Sequence, residues 1–387
     1  MIDISKRLKN LPPYLFAEID RIKKDLREKG IELVDLSIGD PDQPTPAHII
    51  EKLCEAARDP KNHRYALDQG LLEFRVAISN WYKKRFNVEL DPHTEIQPLI
   101  GSKEGIAHLP LAFLNSGDIA LIPDPCYPPY KGGTILADGK PYLLPLLKEN
   151  NFLPDLKKIS SSILKRAKIL FLNYPNNPTA SICPEDFYRE VIRFAHKNRI
   201  LVCHDAAYSE ISFDGYRAPS FLQFEGAKEI GIEFHSLSKT YNMTGWRIGW
   251  VCGNKEAVKA IGKIKTNIDS GIFQAIQIAG ISALETDSSH IEKMNRMYKE
   301  RRDFLIEGLG KIGWKIDKPL ATFYVWAPLP KPFRSSLKFS QILLEEAKVV
   351  VTPGIGFGKF GEGFVRFSLT NSLEMIEEAV ERIRKLL

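Results

Sequence analysis

From His235 to Gly249 the chain reads His-Ser-Leu-Ser-Lys-Thr-Tyr-Asn-Met-Thr-Gly-Trp-Arg-Ile-Gly. One lysine, Lys239, stands among hydroxyls and glycines, with Arg247 eight positions on, between an apolar approach (Ile230, Ile232, Phe234) and an apolar exit (Trp250, Val251). A strand that enters a serine-rich turn and leaves it as another strand buries its middle, where an ammonium is costly. Burial lowers a lysine pKa from its reference of about 10.4, and a partly neutral lysine is a nucleophile for carbonyls. Ser236, Ser238 and Arg247 add two hydroxyl donors and a planar cation, a set suited to a phosphate. A phosphorylated carbonyl held by a lysine points to pyridoxal phosphate.

Working outward, a chain of 387 residues is long enough for two domains with substantial cores. Its composition, 44% hydrophobic and 26% charged, is that of globular material, and a net charge of +6 spread over this length gives no basic tract with interleaved aromatics. Nucleic acid is therefore a weak partner. Cys54, Cys126, Cys183, Cys203 and Cys252 form no Cys-x-x-Cys pair and read as free thiols. With no signal-peptide pattern at the start and no apolar run long enough to span a bilayer, the expectation is a cytoplasmic protein off the membrane.

From Glu95 the pattern is strand, turn, helix, repeated: Glu95–Ile100, Ile119–Ile122, Pro141–Pro145, Lys168–Leu172, Ile200–Cys203 and Glu233–Ser236 alternate with helical segments. Such alternation predicts an α/β fold, a mostly parallel sheet sandwiched by helices, with ligands bound where loops converge at the strand ends. The candidate residues lie at those ends. Gly101-Ser102-Lys103 closes one strand and opens a helix, an anion site or a plain cap. Tyr127, after the next strand, would stack on a flat ring or pack in the core. Asn173-Tyr174-Pro175-Asn176-Asn177-Pro178 makes a sharp turn that presents the amide of Asn177. Asp205, directly after an apolar strand, needs a cationic partner if buried, and a protonated pyridine nitrogen is one. A metal built on His196, His204 and Asp205 lacks a third ligand with sensible spacing.

Before this region lie a helical pattern carrying Leu15, Ile19, Ile22 and Leu26, a short strand at Leu33–Leu36, and a proline-rich loop around Gly39 that permits close backbone approach to a ligand or simply links two elements. After it, a charged helix (His290 to Leu309) precedes strands near Trp314–Ile316, Thr322–Trp326, Val349–Thr352 and Phe364–Ser368 and a last helix, Leu373–Leu386. The predicted division is an N-terminal arm with part of a small α+β domain (1–45), a large cofactor domain (46–283) and the rest of the small domain (284–387). Pro353-Gly-Ile-Gly-Phe-Gly358 imitates a dinucleotide loop, but a strand follows it instead of a helix. Arg366, between Val365 and Phe367, needs an anion, and a carboxylate matches its fork. Ser236-Leu-Ser-Lys239 also matches the Ser-x-x-Lys of penicillin-recognising enzymes, whose Ser-Asp-Asn and Lys-Thr-Gly partners are missing.

Ser-x-Ser-Lys followed by Gly-x-Arg resembles the lysine segment of the class I/II aminotransferases of fold type I, and the other motifs follow in that family's order over nearly the whole chain. The resemblance implies pyridoxal 5'-phosphate as cofactor, with Lys239 attached to it and acting as general base and acid, and Asp205 on the pyridine nitrogen. It further implies Tyr208 and Asn177 on the phenolate oxygen, Tyr127 on the ring face, and Ser102, Lys103, Ser236, Ser238 and Arg247 around the phosphate. Tyr65 would reach the phosphate of a partner subunit, which implies a homodimer with shared active sites. Arg366 and Gly39 would take the substrate carboxylate.

Within the family the resemblance runs to the members that act on LL-diaminopimelate, with 2-oxoglutarate and glutamate as the other pair, a step of lysine biosynthesis. Tyr14, Lys103 and Asn267 are similar to positions lining that pocket, although Ile268, Asp269 and Ser270 beside Asn267 depart from the pattern. A general aspartate, alanine or aromatic aminotransferase, or a C–S lyase using the same cofactor, would keep the cofactor residues. A regulator on this fold would carry a DNA-binding domain ahead of the first strand, and none is expected here.

Overall fold

Short apolar strands alternating with amphipathic helices build one large sheet in the computed structural model, which describes residues 2–12 and 17–387. After β1 (Val34–Asp35) come β2 (Ile96–Leu99), β3 (Ile119–Asp124), β4 (Lys140–Pro145) and β5 (Ala167–Asn173). β6 (Leu201–Asp205), β7 (Gly231–Ser236) and β8 (Gly249–Gly253) complete the set. The order across the sheet is β2-β8-β7-β6-β5-β3-β4. β8 runs antiparallel to both neighbours, and the pairs from β7 across to β4 are parallel.

Side chains alternate between the two faces of each strand. Leu170, Leu172 and Val202 pack on one face with helices Leu72–Phe86 and Glu185–Asn198, through Phe74, Ile78, Phe187 and Val191. Ile169, Phe171, Cys203, Ile232 and Phe234 pack on the other with helices Ser102–Phe113 and Lys255–Ile268, through Ile106, Leu109, Val258 and Ile261. A sheet covered on both faces is why these strands read as nearly unbroken apolar runs. One edge of it matters most. The parallel strands end there at Ser236, Asp205, Asn173 and Asp124, and the antiparallel β8 starts there, with Gly249 opposite both Ser236 and Leu99.

The last third adds β9 (Tyr324–Pro328), β10 (Val349–Val350), β11 (Thr352–Pro353) and β12 (Phe364–Ser368). β11, β12 and β9 form an antiparallel sheet, while β10 pairs in parallel with β1. Val34 and Leu36 share a buried cluster with Leu305 and Leu309 of helix Ser289–Lys311, Val365, Phe367, and Ile376 of helix Leu373–Arg384. Ile19, in helix Ala17–Glu28, packs on Leu344 and Val350. The chain's two ends are thus joined in one core, as the apolar pattern of the first forty residues requires.

One expected strand does not form. Trp314–Ile316 follows the end of helix Ser289–Lys311 without joining a ladder. Its apolarity comes from burial: Trp314 packs edge-on against Phe339 and Phe367 and donates its indole N–H to Pro328 O at 2.7 Å. All five cysteines are free, Cys54 exposed and the others buried. Among the described residues no helix is long and apolar enough to cross a membrane.

Candidate active site

A cavity of about 620 Å³ opens at the edge where the parallel strands end. Ser102, Lys103, Tyr127, Asn177, Asp205, Tyr208, Ser236, Ser238, Lys239 and Arg247 line it from the large sheet and its loops. Gly39 and Arg366 line it from the part of the chain that shares the terminal core. Residues separated by more than 300 positions in sequence meet here because the topology brings both ends of the chain to the same sheet edge.

β7 ends at Ser236, whose hydroxyl accepts from Ser238 N at 3.1 Å and starts the single turn Leu237–Thr240 that carries Lys239. Lys239 Nζ donates to Gly39 O at 2.9 Å. Burial, with the positive charges of Arg247 and Arg366 and against the pull of Asp40, brings its pKa down to about 8. In chain freed of cofactor, the rate at which Lys239 captures a carbonyl such as pyridoxal phosphate is expected to climb with pH to about 8 and then level off. A lysine at its ordinary pKa of about 10.4 would go on climbing. Stopped-flow absorbance across pH 6 to about 10.5, with a Lys239→Ala control, separates the two.

Asp205 ends β6, buried, and receives the Tyr130 hydroxyl on Oδ2 at 2.7 Å and the Ala207 N–H on Oδ1 at 3.3 Å. Burial raises its pKa and these hydrogen bonds oppose the rise. A carboxylate so placed keeps acceptor capacity for one more cationic donor. Asn173, at the end of the neighbouring strand, donates to Asp205 O (2.7 Å) and accepts from Asn177 N (2.7 Å), which ties the asparagine turn to the aspartate.

Arg366 lies inside β12, 7% exposed. Nη1 donates to Asn177 Oδ1 at 2.7 Å and Nη2 to Ser37 O at 2.8 Å, while Nε has no partner. Its guanidinium is sandwiched, 4.1 Å from the Tyr324 ring centre and 4.6 Å from that of Phe357. A buried guanidinium that has aromatic faces, neutral acceptors and an unpartnered N–H lacks an anion, which a substrate carboxylate would supply. Asn177 commits its carbonyl oxygen to Arg366 and keeps its NH₂ as the donating end.

The phosphate region fits as closely. Gly101, with φ +75°, precedes helix Ser102–Phe113, and a Cβ there would lie 2.3 Å from Arg247 Nη2. A Cβ on Gly249 would lie 3.0 Å from Ser102 N. Glycine at both positions lets the guanidinium and the open N–H groups of a helix start converge with Ser236 and Ser238, a cradle for an anion. Gly39 is as constrained: a Cβ there would strike the Tyr324 hydroxyl. With Lys239 for a carbonyl, Asp205 for a pyridinium and this cradle for a phosphate, the residues present fit pyridoxal phosphate. Tyr127, its phenol pushed up to about 12 by burial, lines the same space as an uncharged ring.

Two predicted residues among those described are not brought here. Tyr65 is 93% exposed on a loop and does not line this chain's cavity. Asn267 is exposed at the end of helix Lys255–Ile268, where its amide bonds Lys263 O at 2.8 Å, one turn back on its own helix. In the single chain it stands at the surface and does not line the cavity. Tyr14 lies outside the described residues. In the other direction, Asn173, Tyr324, Phe357 and Thr244 line the cavity without having been singled out as binding residues. The aromatic alternation of β9 and the Gly-rich run at 353–358 were the available signals for Tyr324 and Phe357. That run forms the tight turn Gly354–Phe357 and places an aromatic face on Arg366.

Residues 31–383 match the model of the family described as aminotransferase class I and II. An LL-diaminopimelate aminotransferase of Moorella thermoacetica is 53% identical over 99% of this chain and 98% of its own length, and one of Aquifex aeolicus is 52% identical over the whole of both. Among solved structures, substrate-bound BacF of Bacillus subtilis is 40% identical with a TM-score of 0.95, covering 100% of this chain and 98% of its own. An aspartate aminotransferase mutant of Thermus thermophilus is 29% identical with a TM-score of 0.94, covering all of both chains.

Proposed function

Since the chain belongs to the class I and II aminotransferases, we propose that it moves the amino group of LL-diaminopimelate to 2-oxoglutarate in two half-reactions on one site. One observation carries the reading: Lys239 and Arg366, far apart in sequence, line a single cavity with Asp205. The choice of donor is supported by relatives at 50–55% identity that bear the LL-diaminopimelate name.

Pyridoxal phosphate, when bound, supplies a carbonyl for exchanging the amino group and a ring that takes up the electrons of the broken Cα–H bond. Lys239 would hold that carbonyl, and its freed Nζ would take the proton from the donor's Cα and, in the second half-reaction, deliver one to the Cα of the acceptor, a role worth roughly 10² to 10⁴ in rate. A pKa near 8 suits an amine that must act in both directions near neutrality. Asp205 would keep a pyridinium proton in place. Asn177 and Tyr208 would donate to the phenolate oxygen, Tyr127 would cover the ring, and Ser102, Lys103, Ser236, Ser238 and Arg247 would bind phosphate. Arg366, with the Gly39 backbone beside it, would fix the α-carboxylate and so orient the Cα–H bond toward Nζ. Under a division at 45/46 and 283/284, Gly39 and Arg366 belong to one part and Lys239 and Asp205 to the other, so substrate would be gripped between them.

The test is absorbance of the purified holoenzyme before and after adding LL-diaminopimelate, aspartate, alanine or glutamate. The yellow lysine-linked form should bleach at low concentrations of LL-diaminopimelate and glutamate. Bleaching by aspartate or alanine in place of LL-diaminopimelate would make this a general aminotransferase; pyruvate and ammonia release without a keto-acid acceptor would make it a lyase. Tyr65, exposed in the single chain, would complete the phosphate site of a second subunit in a homodimer. In mixed dimers pairing a Tyr65→Phe subunit with a Lys239→Ala subunit, the two sites should retain cofactor unequally, and equal retention would count against a cross-subunit contact.

A further inference from the structure

Behind the cavity, on the far side of β6 and β7, lies a polar cluster that the proposed chemistry does not use. Glu233 is fully buried and its carboxylate takes five hydrogen bonds. Oε2 meets His204 Nδ1 at 2.8 Å and the Phe221 N–H at 2.8 Å. Oε1 meets His235 Nε2 at 3.1 Å, the Tyr82 hydroxyl at 2.9 Å and the Ser220 hydroxyl at 2.8 Å. His204 Nε2 continues to the Tyr188 hydroxyl at 3.1 Å, and the His235 ring stacks on Trp250 with centres 5.4 Å apart. A buried charge with this many partners is rigid, and removing one partner is expensive, so its cost to the fold calls for a use.

The two histidines immediately precede cofactor-facing residues. His204 is followed by Asp205 on β6, and His235 by Ser236 on β7, and both Asp205 and Ser236 line the cavity. Glu233 and His204 are register partners in the parallel ladder, one step before Asp205 and Phe234. The apolar contacts around them are non-directional and tolerate a small slide between strands, whereas hydrogen bonds to a charged carboxylate weaken steeply with distance and angle. The backbone ladder sets the register of the two strands, and one carboxylate adds a directional tie between their ends, which face the proposed places of the cofactor's ring nitrogen and its phosphate.

We propose that Glu233, acting through His204 and His235, is a positioning residue that sets the spacing between Asp205 and Ser236 for the cofactor. The inference rests on the cofactor contacts assigned above. The test is the dissociation constant of pyridoxal phosphate, measured by equilibrium dialysis of the holoenzyme, together with the position of its visible absorption band and the melting temperature. Glu233→Gln keeps the volume but turns an acceptor into a donor, and is expected to weaken cofactor binding about tenfold or more, as loss of an outer-shell partner does at other ligand-orienting sites, with a shifted band. Tyr82→Phe removes a donor from the same carboxylate but lies on helix Leu72–Phe86, off both strands, and should lower the melting temperature without changing the constant or the band. His204→Phe, which keeps a ring and loses the bond to Glu233, should behave as Glu233→Gln and serves if the latter fails to fold.

Unchanged cofactor binding in folded Glu233→Gln or His204→Phe overturns the proposal, and so does an equal loss in Tyr82→Phe, which would mark the cluster as a general stabiliser. Asp205→Asn locates a failure. If it too leaves binding unchanged, the assignment of the site falls with the proposal; if it weakens binding while the Glu233 and His204 variants do not, the positioning role alone fails.

Discussion

Lys239→Ala is expected to lower kcat/KM by about 10⁴ or more, the upper end of what a positioned general acid–base contributes, because under the proposed function the same atom would also hold the cofactor. The reason is where Nζ sits. It lies in the cavity with Asp205 and Arg366, bonded to Gly39 O, with burial and two neighbouring guanidinium groups holding its pKa near 8. Among the described residues no other lysine of that kind lines the space: Lys103, which also borders the cavity, is exposed. The variant should lose the yellow lysine-linked absorption, yet with both proteins freed of cofactor it should melt no lower than the parent, since removing a buried, half-neutral ammonium relieves a desolvation cost. Steady-state rates with LL-diaminopimelate and 2-oxoglutarate, a spectrum and a melting curve decide it. Retained turnover above about one hundredth of the parent, far more than loss of the acid–base group permits, would remove Lys239 from the chemistry.

Arg366→Met is the second large effect. Truncating one partner of a buried, hydrogen-bonded charge pair costs about 2–5 kcal/mol, which at 1.36 kcal/mol per decade is a loss of roughly thirty- to several-thousand-fold in kcat/KM. The loss should fall on LL-diaminopimelate and glutamate alike, since both present an α-carboxylate, and should show as a raised KM as well as a lowered kcat. Arg366→Lys should recover little, because one ammonium cannot bond Asn177 Oδ1 and Ser37 O and still meet a carboxylate in the fork geometry held between Tyr324 and Phe357. Kinetics with each donor separately would settle the matter: a defect confined to LL-diaminopimelate would assign Arg366 to the distal end of the substrate.

The lysine segment was legible because its anomaly is local. A lysine between two apolar runs, with hydroxyls and an arginine at short spacing, needs no knowledge of the rest of the chain. The strand ends were legible for the same reason, since an Asp closing an apolar run stands out in one dimension, as Asp205 does, and so do adjacent asparagines between prolines, as Asn176 and Asn177 do. Tyr324, Asn173 and Phe357 were not, because an aromatic or amide inside a loop or strand has the same local pattern whether it faces a cavity or a core. Asn267 shows the converse. The family resemblance carried it toward the pocket while its neighbours Ile268, Asp269 and Ser270 departed from the pattern, and in the single chain helix Lys255–Ile268 ends with it exposed, its amide turned back to Lys263 O. Trp314–Ile316 was taken for a strand because burial and ladder pairing leave the same apolar trace.

The sequence by itself determined the alternation that makes a parallel sheet, the strand ends at which the candidate residues stand, the lysine with its company of hydroxyls and an arginine, and a second arginine set in an apolar strand. Each of these depends on residues within about one element of one another, where periodicity and desolvation cost act directly. Only the tertiary structure decided that Gly39 and Arg366 meet Lys239 in one cavity, that Tyr130 and Asn173 brace Asp205, and that a single carboxylate, Glu233, ties His204 to His235 behind them. Apart from the Glu233–His235 contact within β7, those contacts join strands and loops distant in sequence, and strand order and register, which no local pattern encodes, set which of them can form.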